Sequence, residues 1–186
     1  MLGRLGAFFR SEAPATRLHL SYEAVGGPME RLLDGEADIM LHRLEGDQVA
    51  VETMALGDVV LIPVVAPGFL AFTSGVPPTP DALRSYTQCI VRDSAGHTDS
   101  ESHFVIEGGH QCSAPDHLTR RELILQGLAW GHLPDFIFEA DLREGRLQSL
   151  AGPRLPGRVE SLAAVRLANR PHGPVARRLW TSLSIR

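Results

Sequence analysis

Four histidines, His97, His103, His110 and His117, fall within 21 residues. Imidazole is the commonest protein ligand for transition metals and titrates near neutral pH, so the cluster is the first place to look for chemistry. Its spacings of 6, 7 and 7 residues do not fit a metal site. Mononuclear zinc draws on a tight pair, such as i and i+4 on a helix face, plus a distant third ligand. Neither H-E-x-x-H nor H-x-x-x-H occurs among the four. Ordinary polar histidines on a loop, two strands and a helix start are the simpler reading, and no metal is expected. The sequence also lacks a G-x-S-x-G elbow, a Walker loop and a G-x-G-x-x-G turn. Carboxylates are plentiful, but no pair stands out as a catalytic dyad. Neither an enzyme nor a cofactor is expected. A metal-dependent enzyme built on His97 to His117 comes third among the functions the sequence admits.

Two cysteines, Cys89 and Cys112, lie 23 residues apart with no C-x-x-C. Two small buried hydrophobes are the simpler reading, and a redox pair is the lesser one. No functional disulfide is expected. Three polar loops carry better-placed groups. His42 and Arg43 follow an apolar run at 37–41, Ser94 and His97 follow a strand-like run at 88–92, and Trp130 and His132 follow a helical segment. Ligands of open α/β sheets bind beyond the carboxyl ends of parallel strands. Arg43 suits a bidentate carboxylate. The Ser-Ala-Gly stretch offers backbone N–H groups to an anion, and Trp130 offers an apolar wall. The candidate ligand-binding residues are therefore His42, Arg43, Ser94, His97, Trp130 and His132.

The elements that must hold them read as an alternation of helices and strands. Helical spacing of Leu2, Leu5, Phe8 and Phe9 predicts a helix over 2–10, stopped by Pro14. Residues 16–22 alternate, with Leu18, Leu20 and Tyr22 on one face, which predicts a half-buried strand. A helix opens at Gly26-Gly27-Pro28 and closes at Gly35, with Met29, Leu32 and Leu33 as its buried stripe. A short strand at 37–41 follows. Residues 49–56 and 58–65 predict two strands turning at Gly57. Thr79-Pro80 starts a helix. Strands are expected at 88–92, 103–107 and 111–113. Thr119 to Glu122 fits a capping box, residues 130–134 a turn, and 136–142 a short helix. Strands at 146–150 and 159–167 and a helix from Gly173-Pro174 complete the chain. Helix–strand alternation implies parallel pairing through right-handed crossovers.

The chain has 186 residues, 44% hydrophobic and 22% charged. A core of that size needs no staple. The longest uncharged run, 59–80, is interrupted by Pro63, Pro67 and Gly68, so no membrane span is expected, and no signal peptide is evident. A cytoplasmic protein follows. All 18 basic residues are Arg. Residues 1–21 carry +2, 22–142 carry −13 and 143–186 carry +7. The acidic middle argues against nucleic-acid wrapping. The basic C-terminal third reads first as the arginine half of ion pairs with the acidic middle, and second as a basic face for nucleic acid.

The order of these segments resembles the effector-binding domain of LysR-type transcriptional regulators. Residues 2–20, with Phe9 and Pro14 ahead of Leu18-x-Leu20, resemble that family's opening. Met29-Glu-Arg-Leu-Leu-Asp-Gly-Glu-Ala-Asp38 is similar to its L-x-x-G-x-x-D signature. Asp58-Val-Val-Leu-Ile-Pro-Val-Val resembles its hinge strand, and residues 123–134 its L-V-x-x-G-x-G-x-x-x-L-P. Asp141 to Leu147 resembles L-x-x-G-x-L, and 172–180 the closing helix. The resemblance implies an α/β, two-lobed fold like type 2 periplasmic binding proteins, with a hinge crossed twice. Lobe one would be 1–65 plus 156–186 and lobe two 66–155. A small effector, anionic or aromatic, would sit in the cleft between them. It also implies a homodimer, and DNA binding only through a helix-turn-helix domain that these residues do not include. The family's first strand, ahead of 2–10, is likewise not among them. A solute-binding protein of a transport system is the alternative function.

Overall fold

A computed structural model describes residues 2–43, 50–71, 78–96 and 104–184. The chain divides into two compact units. Unit 1 comprises Met1–Glu23, Pro28–Gly57 and Ser161–Arg186, and unit 2 comprises Ala24–Gly27 and Asp58–Glu160. Two long strands, β2 (Val51–Val65) and β7 (Arg158–Leu167), each begin in one unit and end in the other.

Unit 1 holds α1 (Leu2–Ser11), α2 (Gly27–Leu33, whose first residue belongs to unit 2), β1 (Met40–Arg43) and α6 (Pro174–Ser184). Leu5 of α1, Leu183 of α6 and Ala164 of β7 form one buried cluster. Leu32, Met40 and Val165 form a second. Helix α2 buries Leu32 but leaves Leu33 58% exposed, so the expected apolar stripe is narrower than the sequence implies. Gly35 closes it at φ +76°, and a Cβ there would meet the Arg170 guanidinium at 2.7 Å. Strand β1 pairs antiparallel with β7, Met40 opposite Val165 and Arg43 opposite Leu162. Arg166 donates to Glu52 at 2.8 and 2.5 Å and lies 4.4 Å from the centre of the Trp180 ring. A basic residue of the C-terminal third thus pairs with an acid of the middle, as expected.

Residues 16–22 form no strand. Leu18, Leu20 and Tyr22 are exposed. Their alternation is real, but an extended segment becomes a strand only when a neighbour takes its backbone hydrogen bonds, and none of the described strands pairs with it.

Unit 2 packs α3 (Pro80–Leu83), α4 (His117–Leu125) and α5 (Asp135–Arg143) against β3 (Gln88–Val91), β4 (Gln111–Ala114), β5 (Gly131–Pro134) and β6 (Gln148–Ser149). Thr79 caps α3, its hydroxyl accepting from the Ala82 N–H at 3.2 Å. The cap of α4 is Asp116, whose carboxylate accepts from the Thr119 N–H at 2.7 Å. The capping box expected at Thr119 is therefore displaced by three residues, because the stronger acidic acceptor lies upstream. Strand β2 runs unbroken through Gly57, where two strands and a turn were expected. Gly57 adopts φ +131° with open space about it, a conformation glycine takes without strain. Residues 104–107 form a turn rather than the expected strand.

Among the described strands, parallel pairing joins only β3 and β4, with one further parallel bridge from Gln88 to Trp130. Strands β3 and β4 run parallel, Cys89 opposite Cys112, while β1–β7, β2–β5 and β2–β6 are antiparallel. The alternation rule fails because consecutive elements return to β2 and β7 rather than adding strands outward. Among the described residues no helix is long and apolar enough to cross a membrane.

Candidate functional site

Residues 130–134, expected as a turn, are extended: Trp130 borders β3, and 131–134 form β5. Trp130 bridges Gln88 in parallel: its N–H donates to Thr87 O at 3.0 Å, and the Cys89 N–H donates to Trp130 O at 2.8 Å. Strand β5 then pairs with β2, placing His132 opposite Pro63. The strand was obscured by Gly131 and Pro134, which read as turn residues. All four residues of β5 are buried. Gly131 is required by space. A Cβ there would lie 2.8 Å from Cys89 O and 2.9 Å from Arg120 Nε. Gly131→Ala is expected to cost about 1–3 kcal/mol by overpacking against backbone that cannot retreat, read as a lowered urea midpoint. An unchanged midpoint would remove this packing argument.

Trp130 and His132 therefore stand on the same face of β5. Their ring centroids are 6.0 Å apart, and His132 stacks on Phe104 at 4.2 Å and 22°. Phe104 is held at φ +73°, a costly conformation for a bulky side chain. The side chain of Gln88, itself buried, fixes it by donating to Phe104 O at 2.5 Å and accepting from the Ile106 N–H at 3.0 Å. Arg158 lies 5.9 Å from the Phe104 ring centre. Against this frame, the indole Nε1 of Trp130 and both ring nitrogens of His132 are buried with no hydrogen-bond partner among the described residues. Buried polar groups are nearly always satisfied. Three orphaned nitrogens on neighbouring side chains are the least expected feature of unit 2.

Burial, and secondarily the charge of Arg120, push the His132 imidazole down to about 3. It is neutral near pH 7, so one nitrogen donates and the other accepts. With the indole N–H, the group presents two donors and one acceptor. Arg120 of α4 is buried, pulled down to about 10 by that burial, and its Nε is also unpartnered. Burial and the facing Cys112 push the Cys89 thiol up to about 12.

The other expected site residues are placed differently. His42 and Arg43 belong to β1, not to a loop after it, and the His42 ring lies 3.1 Å from Arg43 O. The strand starts later than expected because Ala37 and Asp38 complete the turn after α2. Ser94 follows β3, as expected, but its hydroxyl is engaged. It accepts from the Ala24 N–H at 2.9 Å and donates to Ala24 O at 3.1 Å, while Asp93 accepts from the Gly26 N–H at 3.0 Å. Ser94 acts as a clamp on residues 24–27. His97 lies outside the described residues, as does His103. His110 is exposed and His117 half-buried. Among the described residues no group of three or more His, Cys, Asp or Glu could hold a metal ion.

Sequence reasoning missed Asp141. It is fully buried and accepts from Arg121 at 2.6 and 2.7 Å and from Arg146 at 2.9 and 2.5 Å. Its signal was present, an acid opening the D-L-x-x-G-x-L segment, but the two arginines lie 20 and 5 residues away.

Two α/β units joined by two through-running strands are the architecture of the type 2 periplasmic-binding-protein-like class. Within that class the chain belongs to the LysR substrate-binding domain family, whose model matches residues 1–184. Solved structures agree on the fold. The regulatory domain of CrgA, a LysR-type transcriptional regulator from Neisseria meningitidis, is 22% identical, with 99% of this chain and 90% of that chain covered and a TM-score of 0.68. Full-length CrgA is 21% identical over 98% of this chain and 62% of its own, at 0.68. The apo regulatory domain of HypT from Salmonella typhimurium is 16% identical over 98% and 88%, at 0.70. No curated protein matches the sequence.

Proposed function

We propose that this ligand-sensing regulatory domain recognises its effector through Trp130 and His132, seated on the Phe104 frame. The observation that carries the reading is the trio of buried, unpartnered nitrogens on these two side chains. An unmade buried hydrogen bond costs about 1–3 kcal/mol, and a ligand that supplies the missing partners recovers it as affinity. The complementary molecule is small and planar, with acceptors for the indole and imidazole N–H groups and a donor for the second imidazole nitrogen. The positive field of Arg120 favours an anionic one, and the ring faces favour an aromatic one. Separately from that site, His42 and Arg43 on β1 are proposed to recognise an anionic group, and Arg43→Ala is expected to weaken binding of such an anion by about 1.5–3 kcal/mol. The domain works in a homodimeric cytoplasmic regulator, without catalysis or cofactor, and reaches DNA only through a helix-turn-helix domain outside these residues.

The test is thermal unfolding of the 186-residue chain against a panel of aromatic and aliphatic carboxylates, with and without ring hydroxyl or amino groups. A hit at 100 times its Kd stabilises by about 2.7 kcal/mol. Trp130→Phe, which removes only the indole N–H and part of the ring, is expected to cut affinity by about tenfold. Hits that bind Trp130→Phe and His132→Phe as tightly as the parent chain would remove this site.

A further inference from the structure

We propose that Cys89 and Cys112 form a two-coordinate site for a soft monovalent cation of the copper(I) or silver(I) class, with Arg120 as its counter-charge. The two residues are register partners on the parallel strands β3 and β4, which sets their side chains side by side on one face of the sheet. Cys89 is fully buried with Ala114 and Ala129, against Cys112 and Leu123. Neighbouring strands lie about 4.8 Å apart, and directly opposed parallel residues inherit that spacing. A disulfide needs Cα atoms about 4.4–6.8 Å apart, so that spacing alone would admit an S–S bond. Both thiols are free, and a disulfide is neutral and would leave Arg120 without a counter-charge. Thiolates select copper(I) and its congeners over harder ions. A tetrahedral zinc site would need further ligands, and the described residues hold no third His, Cys, Asp or Glu beside the pair.

The second observation is Arg120. Its residue is only 6% exposed, it makes no ion pair or hydrogen bond among the described residues, and it lies within electrostatic reach of both sulfurs. Gly131 brings the two together: the point its Cβ would occupy is 2.8 Å from Cys89 O and 2.9 Å from Arg120 Nε. A buried cation without a partner is costly, and an apolar side chain would fill the same space more cheaply. Binding replaces two S–H bonds by two metal–sulfur bonds and releases two protons. The resulting bis-thiolate complex carries one negative charge, which Arg120 neutralises. A carboxylate beside Arg120 would have cancelled that match beforehand. Cys112, half-buried on β4, is the more open of the two sulfurs. This site shares the charge of Arg120 with the effector reading but uses none of Trp130, His132 or Phe104, so the two thiols test it separately.

The reduced 186-residue chain is titrated anaerobically with silver(I), and with copper(I) buffered by a chromophoric chelator. Native mass spectrometry is expected to show one ion per chain. Cys89→Ser and Cys112→Ser are each expected to lower affinity at least 100-fold, and Arg120→Gln at least tenfold with both thiols intact. In the unmodified chain, one equivalent of silver(I) is expected to protect Cys112 from iodoacetamide, a readout that needs no variant to fold. Either serine variant keeping the parent affinity, a stoichiometry other than one, or unprotected Cys112 would overturn the site. A folded Arg120→Gln chain binding as tightly as the parent would overturn the counter-charge.

Discussion

Asp141→Ala is expected to lower the unfolding free energy by about 3–5 kcal/mol, the cost of removing one partner from a buried ion pair. The carboxylate is fully buried between two arginines, one on α4 and one in the turn after α5, and its removal leaves Arg121 without its ion-pair partner and Arg146 with Glu144 alone. It also acts through its main chain, because Asp141 O accepts from the N–H groups of Arg146 and Leu147. Those bonds survive the substitution, so α5 stays helical and the loss appears as a lower urea midpoint at unchanged slope. The guanidinium of Arg121, with Arg146 beside it, holds the Asp141 carboxyl below the usual range. Its contribution is therefore complete above the unfolded value of about 3.9 and disappears as pH falls through the lower folded value. A loss under about 1 kcal/mol at pH 7 would mean that the two arginines are solvated in the native state.

His132 adds a second pH dependence of stability, between about pH 3 and neutrality. Its folded value is about 3, against about 6.5 unfolded. Over that window the unfolded chain binds the extra proton, so stability falls as pH drops from about 6.5 towards 3, at about 1.4 kcal/mol per pH unit. His132→Phe is expected to flatten that slope. The substitution keeps the stack on Phe104 and replaces two unpartnered nitrogens with carbon, so stability at pH 7 is expected to hold or rise. Urea unfolding from pH 7 to 4 reads both effects. A parent chain whose stability is flat from pH 6.5 to 5 would show that the imidazole is solvated. If His132→Phe is as stable as the parent but no longer binds the effector, the histidine is there for recognition.

The helices were the legible part of this sequence. Their signals are local: Pro14 beyond α1, Thr79-Pro80 at α3, Gly173-Pro174 at α6. The strands were legible only where pairing agreed with pattern. Leu18, Leu20 and Tyr22 alternate correctly and still form no strand, because alternation does not report whether a neighbour exists. Strand β5 was hidden for the opposite reason. It is buried on both faces, so Gly131-His-Leu-Pro134 shows no alternation, and the glycine that marks a turn in isolation is there for close packing on Cys89 O. Trp130 and His132 were chosen from the sequence as loop residues. The structure brings them together, but on a rigid strand. Ser94 was chosen for its hydroxyl, and no pattern shows that the hydroxyl is spent on Ala24. Phe104 and Arg120 were missed because their roles depend on partners 28 and 11 residues away (His132 and Gly131), which only the folded chain brings near.

Strands β2 and β7, by belonging to both units, fix an order of events on the ribosome. Unit 1 takes its α1, α2 and β1 from the beginning of the chain and its α6 and most of β7 from the end. The inner part of its core, Leu5 with Ala164 and Leu183, cannot assemble until α6 emerges. The first 57 residues must wait while Asp58–Glu160 is made, which at about 5–20 residues per second is roughly 5–20 s. Unit 2 is nearly contiguous and can close during that interval. Of the two units, the one begun first is thus the last to be buried. Phe8, Leu32 and Met40 are the side chains a chaperone would meet in the meantime.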